Sequence, residues 1–530
     1  MLHHIDFPGS EPLSQAEFPE IFKVFSARGI QLRLSVETDY RRLLLYSRDD
    51  DDDDDSDDDD DDDNFNQTIF PTLESLSIIV HGDFSYAVFM PVFDNPPTCS
   101  LKSLIIPDLW LDARALTRLT SNCPLLEELV VSGFAQYDHL EEENSFLDSE
   151  FRFPQLRCLS AAFSDTFRIP DSLLVTLTSS GLLQYLILGS VEADLLKKIV
   201  SVNPNLKYLN CTICQETVSV SNLIESSLGN LCHLETAVLR FDAETWSFDP
   251  LDQVTGGFWP NLRSLTIEGS CDRFSNALSS ISSESCAQFF HSLTHLCLVR
   301  VKLCCEIVCP LLVELELEDT LDLSDPEVGF RVGPDFRSLI LKEPDMNPRH
   351  VFLNESAPKI SNLSLKIGDL NDPYYGTGDT LSMDAYLDYM TELPDLRSVQ
   401  IDYEFYDCDS HYLPEFGFQV GKALGSLRSL ESVQIQSSGP FLRDILKSLA
   451  EERRRLFDED GSSLGFLEYG FYSGSDQVKL ELNSVKMLPQ KTHQNLLERH
   501  PFFRNKSSGY FDCRPKLLDN CSLITSCKNA

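Results

Sequence analysis

Two short motifs carry residue types that could form a nucleophile or a phosphate-binding loop. Residues 461–465 read Gly-Ser-Ser-Leu-Gly, a pattern typical of a serine nucleophile on a sharp turn between a strand and a helix. Here an amphipathic stretch precedes the turn and a strand-like run follows it, so the sequence favours a plain Gly/Ser turn. Gly376 and Gly378 lack the later glycine and the strand–turn–helix context of a dinucleotide-binding loop. Neither motif predicts an active site.

One cysteine pair has a spacing that could hold a metal ion. Cys211 and Cys214 resemble half of a zinc site, but only Cys232 lies near them in the sequence. Cys211 and Cys214 occupy the sixth and ninth positions of a repeated phrase, where cysteine serves as a small core residue. We therefore expect a structural role and no bound metal or cofactor.

The repeat also explains two further groups of potential metal ligands. Cys304, Cys305 and Cys309 are close in sequence, but Cys309 precedes a proline and a strand-like run, which favours packing. His291 and His295 are four residues apart, yet the repeat places them across a turn and the start of a strand. They cannot form a helical histidine pair, and we expect them at the surface. We expect no catalytic residues and no enzymatic activity.

The elements that position these residues follow a Leu-x-x-Leu-x-Leu phrase that returns about every 28 residues. This period predicts a leucine-rich-repeat solenoid of the α/β class. We expect a curved horseshoe with parallel strands on its concave face, helices on its convex face and about 14 repeats. Individual intervals vary from 19 to 36 residues, so the repeats are degenerate. The first position of the phrase falls at Leu73, Leu101, Leu126, Leu156, Leu183, Leu206, Leu234, Leu262, Leu293, Leu312, Phe336, Ile360, Leu396, Leu430 and, less clearly, Leu467.

A second pattern lies upstream of two of these phrases. Apolar residues stand 11, 8 and 5 positions before Pro124 and again before Pro204. This spacing places them on one stripe of a helix, and the proline ends that helix before the strand. Asp112 is a candidate N-cap of the first helix. The residues concerned are Ala113, Leu116 and Leu119, and Ala193, Leu196 and Ile199.

Charge limits the partners of this chain. The net charge is −41, and the run Asp49–Asp63, which only Ser56 interrupts, supplies 14 of the negative charges. The rest of the chain is still acidic, so repulsion from phosphates disfavours nucleic acid. No apolar stretch approaches the length of a membrane span, and no targeting segment is recognised. We expect a cytoplasmic or nuclear protein with no membrane partner.

Composition divides the chain into five segments. Residues 1–48 contain a helix-like stretch, 18–27, and an alternating strand from Ile30 to Val36 that is a plausible first repeat or cap. The acidic segment is expected to be disordered, and Ser56 within it is a candidate phosphorylation site, with a plain solvated loop as the alternative. The five segments are 1–48, the acidic insertion 49–66, the repeat array 67–440, a C-terminal capping region 441–508 and a tail 509–530.

Three phrases carry a family resemblance. Residues 123–129, 203–209 and 309–315 read Cys-Pro-Leu-Leu-Glu-Glu-Leu, Asn-Pro-Asn-Leu-Lys-Tyr-Leu and Cys-Pro-Leu-Leu-Val-Glu-Leu. They resemble those of F-box/leucine-rich-repeat proteins of the fungal type. The resemblance implies that the repeats capture a substrate, while an F-box docks on the linker subunit of a cullin ubiquitin ligase. Residues 18–22 are similar to the start of an F-box, but no three-helix continuation follows. A linker partner is therefore expected only if an F-box lies upstream.

The register predicts which side chains leave the core. Positions one, four and six of each phrase point inward, and positions three, five and seven point onto the concave sheet. Lys342 and Lys366 are among the outward residues. We expect an aromatic platform followed by an acidic ladder to bind a protein partner, although such polar residues could also only keep the sheet soluble. The candidate contact residues are Tyr185, Tyr208, Asn210, Arg240, Glu268, His295, Glu314, Glu316 and Glu318.

Two classes of function remain. The first is substrate recognition, as in F-box/leucine-rich-repeat subunits of cullin ubiquitin ligases. The second is a free-standing acidic repeat protein that binds basic partners such as histones. It resembles acidic leucine-rich nuclear phosphoproteins, in which the acidic run follows the repeats. Here the run comes early, which favours the first class.

Overall fold

The fold is taken from a computed structural model, which divides into two compact units. Unit 1 comprises residues 1–246, 255–262 and 270–277, and unit 2 comprises 247–254, 263–269 and 278–530. The structure describes residues 4–5, 32–39, 73–81, 100–111, 113–134, 151–161, 171–214, 217–219, 223, 228–242, 245–248, 259–269, 280–281, 290–303, 306–318, 328–342, 348–353, 359–367, 383–403, 414–437, 439–460, 468–474 and 477–483.

Unit 1 contains a ladder of parallel strands in sequence order. Strand β9 is not part of this ladder, and each other strand pairs in parallel with the next along the chain, β8 pairing with β10. The strands are β1 (His4–Ile5), β2 (Leu32–Asp39), β3 (Leu73–His81), β4 (Ser103–Leu111), β5 (Glu128–Phe134), β6 (Cys158–Ala161), β7 (Tyr185–Val191), β8 (Tyr208–Cys214), β9 (Thr217–Ser219) and β10 (Thr236–Asp242).

Helices connect several strands of unit 1. They are α1 (Ala113–Asn122), α2 (Asp171–Leu177) and α3 (Ala193–Val202), and a 3-10 turn spans Leu228–Asn230. Leu116 and Leu119 on α1, and Leu196 and Ile199 on α3, are fully buried, which confirms these two positions of each stripe. Ala193 is half-buried, and the side chain of Ala113 is outside the described ones. Asp112 and the helix-like stretch 18–27 lie outside the described residues.

Unit 2 continues with the same kind of ladder. Strands β12, β14, β17, β19, β20, β21 and β22 pair in parallel in that order, while β11, β13 and β15 form a small parallel sheet and β16 pairs with β18. The strands are β11 (Thr245–Phe248), β12 (Ser264–Glu268), β13 (Ser280–Ile281), β14 (His295–Val299), β15 (Lys302–Leu303), β16 (Glu306–Cys309), β17 (Glu314–Glu318), β18 (Gly329–Val332), β19 (Ser338–Lys342), β20 (Asn362–Ile367), β21 (Ser398–Tyr403), β22 (Ser432–Ser437), β23 (Glu468–Gly474) and β24 (Gln477–Asn483).

The end of unit 2 departs from the repeat. The helices are α4 (Met383–Thr391), α5 (Pro414–Ser426) and α6 (Gly439–Asp460), and a 3-10 turn spans Pro348–His350. Strands β23 and β24 form an antiparallel hairpin, and β24 pairs antiparallel with β22. The weak phrase at Leu467 therefore does not start another parallel strand. The amphipathic stretch that precedes residues 461–465 is the helix α6, and the strand-like run that follows them is β23.

The register of the repeats is confirmed by burial and by backbone hydrogen bonds. Every first position of the phrase from Leu101 to Leu430 is at most 3% exposed. At the start of β5–β8, β10, β14, β17 and β19–β22, one carbonyl of the preceding repeat accepts two N–H groups. The Arg157 carbonyl accepts those of Gln184 and Tyr185, and the Lys207 carbonyl those of Glu235 and Thr236. The fold is therefore α/β, built on a large parallel sheet that is not closed into a barrel.

The sequence predicts helices opposite the parallel strands, but in the described part of the chain some connections between strands contain no helix. Between β14 and β17 the chain has room only for the short strands β15 and β16. The interval from Leu293 to Leu312 is 19 residues, too short for a strand, two turns and a helix. Among the described helices, none is long and apolar enough to cross a membrane.

Candidate functional site

The cysteine pair is a core feature of strand β8. Cys211 is fully buried, and this burial raises the pKa of its thiol to about 12. Cys214 is half-buried, and its Sγ donates to Oδ2 of Asp242 at 3.8 Å. Cys232 is exposed. Cys211 therefore packs in the core of the sheet, whereas Cys214 lies at a half-buried position of the same strand.

The other potential ligands are also dispersed. Cys309 is buried, and burial raises the pKa of its thiol to about 12. Cys304, Cys305 and the Gly-Ser turn 461–465 lie outside the described residues, as do Ser56 and the acidic segment. His291 lies exposed in a turn and His295 exposed at the start of β14, as predicted. The described residues contain no group of three or more His, Cys, Asp or Glu side chains placed to hold a metal ion.

The sheet offers a continuous outward face in each unit. Along β5, β8, β12 and β17 buried side chains alternate with half-buried ones, so every second residue leaves the core. We call the half-buried or exposed side the outward face. On this face residues of neighbouring strands lie directly beside one another, because the ladder is in register.

Tyr185 and Tyr208 form a stacked pair on the outward face of unit 1. They are register partners on β7 and β8. Their ring centroids are 6.3 Å apart, with an angle of 29° between the ring planes. Tyr185 is 47% exposed and Tyr208 is half-buried. The predicted aromatic platform is therefore present, and we call it the tyrosine pair.

A row of aliphatic residues runs beside the tyrosine pair. The row lies two residues beyond the tyrosine pair along the strands. Ser160 on β6 and Asn210 on β8 interrupt the row. We call it the apolar row, and its members are Ile105, Val130, Ile187 and Val238, all half-buried. Half-buried aliphatic side chains beside an exposed aromatic pair form the kind of surface that protein partners cover.

Two polar interactions occur at this surface, and one of them lies within the apolar row. Arg240 Nη1 donates to Oδ1 of Asn210 at 2.7 Å, which joins the two predicted contact residues across β10 and β8. Ser103 Oγ donates to Oε2 of Glu128 at 2.5 Å on the opposite side, where β4 meets β5. Each charged side chain thus has a hydrogen-bond partner on a neighbouring strand.

Two exposed apolar residues near β7 were not predicted. Leu182, in the turn before β7, is 40% exposed, and Val202, at the end of α3, is 42% exposed. The end of α3 meets the turn before β7 at Gly181, where the Val202 carbonyl oxygen lies 3.4 Å from the position that a Cβ of residue 181 would occupy. Gly181 has a positive φ of 69°, a conformation that suits glycine. The sequence signal was the doubled leucine of the phrase, Leu182-Leu183, in which only one can enter the core.

The outward face of unit 2 is charged. Glu314, Glu316 and Glu318 alternate with buried leucines along β17, and we call them the glutamate strand. Lys342 on β19 lies with its Nζ 2.5 Å from Glu316 Oε1 and 3.3 Å from Glu318 Oε2. The predicted acidic ladder is therefore partly neutralised by a lysine of the next strand.

The remaining predicted residues also have neighbours of their own chain. Glu268 forms an ion pair with Arg300, a residue with a positive φ of 53°. His295 Nδ1 lies 2.9 Å from Thr294 Oγ1 and is the register partner of Glu314. The structure brings Tyr185 together with Tyr208, and Asn210 with Arg240. These four residues belong to unit 1, whereas Glu268, His295 and the glutamate strand belong to unit 2.

No protein-family model matches this chain, and no curated protein matches it.

Proposed function

We propose that this chain is a leucine-rich-repeat solenoid that binds a protein partner on the outward face of its sheet and has no catalytic role. In this proposal the sheet is the concave side of a curved horseshoe and the helices lie on its convex side. The tyrosine pair carries the proposal, because a rigid, exposed aromatic pair beside an aliphatic row is the type of surface at which binding energy concentrates. A role in substrate recognition, as in F-box/leucine-rich-repeat subunits of a cullin ubiquitin ligase, agrees with the resemblance of the repeat phrases.

The second candidate is an acidic repeat protein that binds basic partners such as histones. The glutamate strand favours it, since three carboxylates alternate along one strand. Lys342 weakens it, because a basic partner would have to compete with a lysine already 2.5 Å from Glu316. The first candidate needs no such exchange.

The two candidates predict different effects of mutation on partner recovery. Interactors are recovered from cells with the wild-type chain, with a Tyr185→Ala/Tyr208→Ala variant and with a Glu314→Gln/Glu316→Gln/Glu318→Gln variant. A Lys197→Ala/Lys198→Ala variant, which alters exposed residues of α3 in the same unit, serves as the control. The tyrosine variant is expected to lose the specific partner at any salt concentration.

Two other outcomes would contradict the first candidate. Loss only in the glutamine variant, and only at low salt, would favour the basic-partner candidate, because screening weakens charge-based contacts. If both variants recover the same proteins as the wild type and the control, the outward face is not the binding site.

A further inference from the structure

The tyrosine pair and the apolar row also limit the shape of the partner. Of the outward side chains described on β4–β8 and β10, Glu128, Arg240 and Asp242 are the only charged ones. The surface between Glu128 and Arg240 is uncharged although the chain has a net charge of −41. An uncharged, partly apolar strip matches a partner whose contact residues are aliphatic or aromatic rather than basic.

The spacing of side chains on the strip distinguishes a helical partner segment from an extended one. Neighbouring strands lie ~4.8 Å apart, so side chains of one row repeat at that distance across the sheet. A helix lying across the strands presents its apolar stripe every ~5.4 Å, a mismatch of ~0.6 Å per turn. An extended peptide in the same direction presents same-side residues every ~6.7 Å, a mismatch of ~1.9 Å per step. The helix therefore keeps its contacts over several strands and the extended peptide does not.

The width of the strip sets the length of the helix. Glu128 lies on β5 and shares its register row with Thr236 on β10, four strand spacings away, and Arg240 lies four residues beyond Thr236. Four spacings of ~19 Å across the sheet and four residues of ~13 Å along a strand give a diagonal of ~23 Å, which a helix covers with ~15 residues. A helix ~10 Å wide also covers both the tyrosine pair and the apolar row, which lie two residues apart along the strands.

Charge complementarity orients the helix. The N-terminal end of a helix carries partial positive charge and the C-terminal end partial negative charge. Glu128 lies on the first strand of the strip and Arg240 on the last, and their side chains are hydrogen-bonded to Ser103 and Asn210 of the neighbouring strands. The N-terminal end of the bound helix, with a basic residue in its first turn, suits Glu128. Its C-terminal carbonyls, with an acidic residue nearby, suit Arg240.

We propose that unit 1 binds an amphipathic helix of about four turns that lies across strands β5–β10, with an uncharged apolar stripe on Tyr185, Tyr208 and Ile187 and its N-terminus toward Glu128. This inference rests on the proposed function, because it names the partner class of the same face. The inference goes beyond the proposed function because it specifies the secondary structure, length, charge and chain direction of the bound segment.

The probe that tests the inference is a displayed library of random 16-residue peptides, selected against the full-length chain. The selected peptides are expected to show apolar residues at i, i+3, i+4 and i+7, and to become helical when bound. The Tyr185→Ala/Tyr208→Ala variant is expected to weaken them by about tenfold or more, since central aromatic side chains dominate such contacts. The Glu314→Gln/Glu316→Gln/Glu318→Gln variant is expected to bind them as the wild type does.

A charge exchange tests the orientation. The Glu128→Lys/Arg240→Glu variant is expected to bind a selected peptide about two- to fivefold more weakly, and to prefer its twin with the terminal charges exchanged. If the variant shows no preference between the twins, the assigned orientation is wrong. If the tyrosine-dependent peptides lack a helical period, as proline-rich peptides do, the inference fails while the proposed function stands.

Two further outcomes would contradict the first candidate function as well as the inference. Basic peptides that are lost only in the glutamine variant would transfer binding to unit 2 and defeat the inference in favour of the second candidate. If no peptide is selected, or if those selected are indifferent to both variants, the inference and the proposed function fail together.

Discussion

The Nζ of Lys342 lies 2.5 Å from Oε1 of Glu316, and the same ammonium lies 3.3 Å from Oε2 of Glu318. One lysine on β19 therefore bridges two carboxylates on β17. Partial burial opposes the charged form of Lys342, but hydrogen bonds and charges from the two glutamates outweigh it and hold the pKa of the ammonium above its ordinary value. This bridge is the reason that the glutamate strand is less negative than its sequence indicates.

Removing the bridge should cost little at neutral pH. Lys342→Met is expected to lower the free energy of unfolding by about 1 kcal/mol or less, because the pair is partly exposed to solvent. The loss should shrink at high salt. The contribution of Lys342 is complete below the ordinary lysine pKa and is lost as the pH rises through the raised folded value. Urea unfolding at two salt concentrations measures this, with Lys359→Met, at an exposed position, as the control.

A charge in the core of the ladder should be far more damaging than one on its outward face. Leu265 is 1% exposed and pairs with Leu296 on the next strand. Leu265→Asp should cost at least the ~2–5 kcal/mol of a buried Leu→Ala change, because it also buries an unpaired carboxylate. Thr266→Asp, one residue further on the outward face, should cost much less. Equal melting temperatures for the two variants would show that the register is wrong.

The sequence predicts the register well because leucine burial is periodic. Each first position of the phrase from Leu101 to Leu430 enters the core, and the stacking of Tyr185 on Tyr208 follows from their equal third positions. The same reasoning could have found the bridge. Glu318 and Lys342 are register partners at the seventh position of adjacent repeats. The charge of this face therefore depends on residues paired across strands and not only on those along one strand.

Other features do not follow from the repeat phrase. The positions of the exposed Leu182 and Val202 depend on how a helix end meets the following turn, which the strand phrase does not encode. The antiparallel hairpin β23–β24 lies beyond the periodic pattern, and pairing direction is not readable from alternation alone. The packing of α5 on α6 depends on glycines that a count of apolar residues ignores.

Gly421 and Gly425 permit a close contact between α5 and α6. A Cβ at Gly421 would stand 2.3 Å from the Ile445 carbonyl oxygen, and one at Gly425 would stand 2.7 Å from Cβ of Glu452. Gly421→Ala should therefore destabilise the chain by about 1–3 kcal/mol, although alanine favours helices. Lys422→Ala, at an exposed position between them, is the control and should be nearly neutral. If Gly421→Ala raised the melting temperature, the close helix packing would be refuted.

Acid stability should depend on Glu452. This carboxylate accepts hydrogen bonds from Arg455, at 2.5 Å from Nη2 and 3.2 Å from Nε, and these bonds lower its pKa despite burial. A group with a depressed folded pKa adds stability above its ordinary pKa and loses it as the pH falls through the folded value. Glu452→Gln should therefore lower stability at neutral pH and flatten its decline in acid. Glu451→Gln, at the exposed neighbour, should leave both unchanged, and unfolding from pH 7 to pH 3 compares them.

Cysteine reactivity should follow burial and not the Cys-x-x-Cys spacing. Burial raises the pKa of Cys211 and Cys309 to about 12, so almost no thiolate is present at pH 8, and both side chains are also shielded from reagents. Cys232 is exposed. Alkylation of the native chain at pH 8, followed by peptide mass spectrometry, should label Cys232 before the other described cysteines and leave Cys211 and Cys309 unlabelled until denaturant is added. Labelling under denaturing conditions controls for intrinsic reactivity. If Cys211 reacted as fast as Cys232 in the native chain, the sixth position of that repeat would not be in the core.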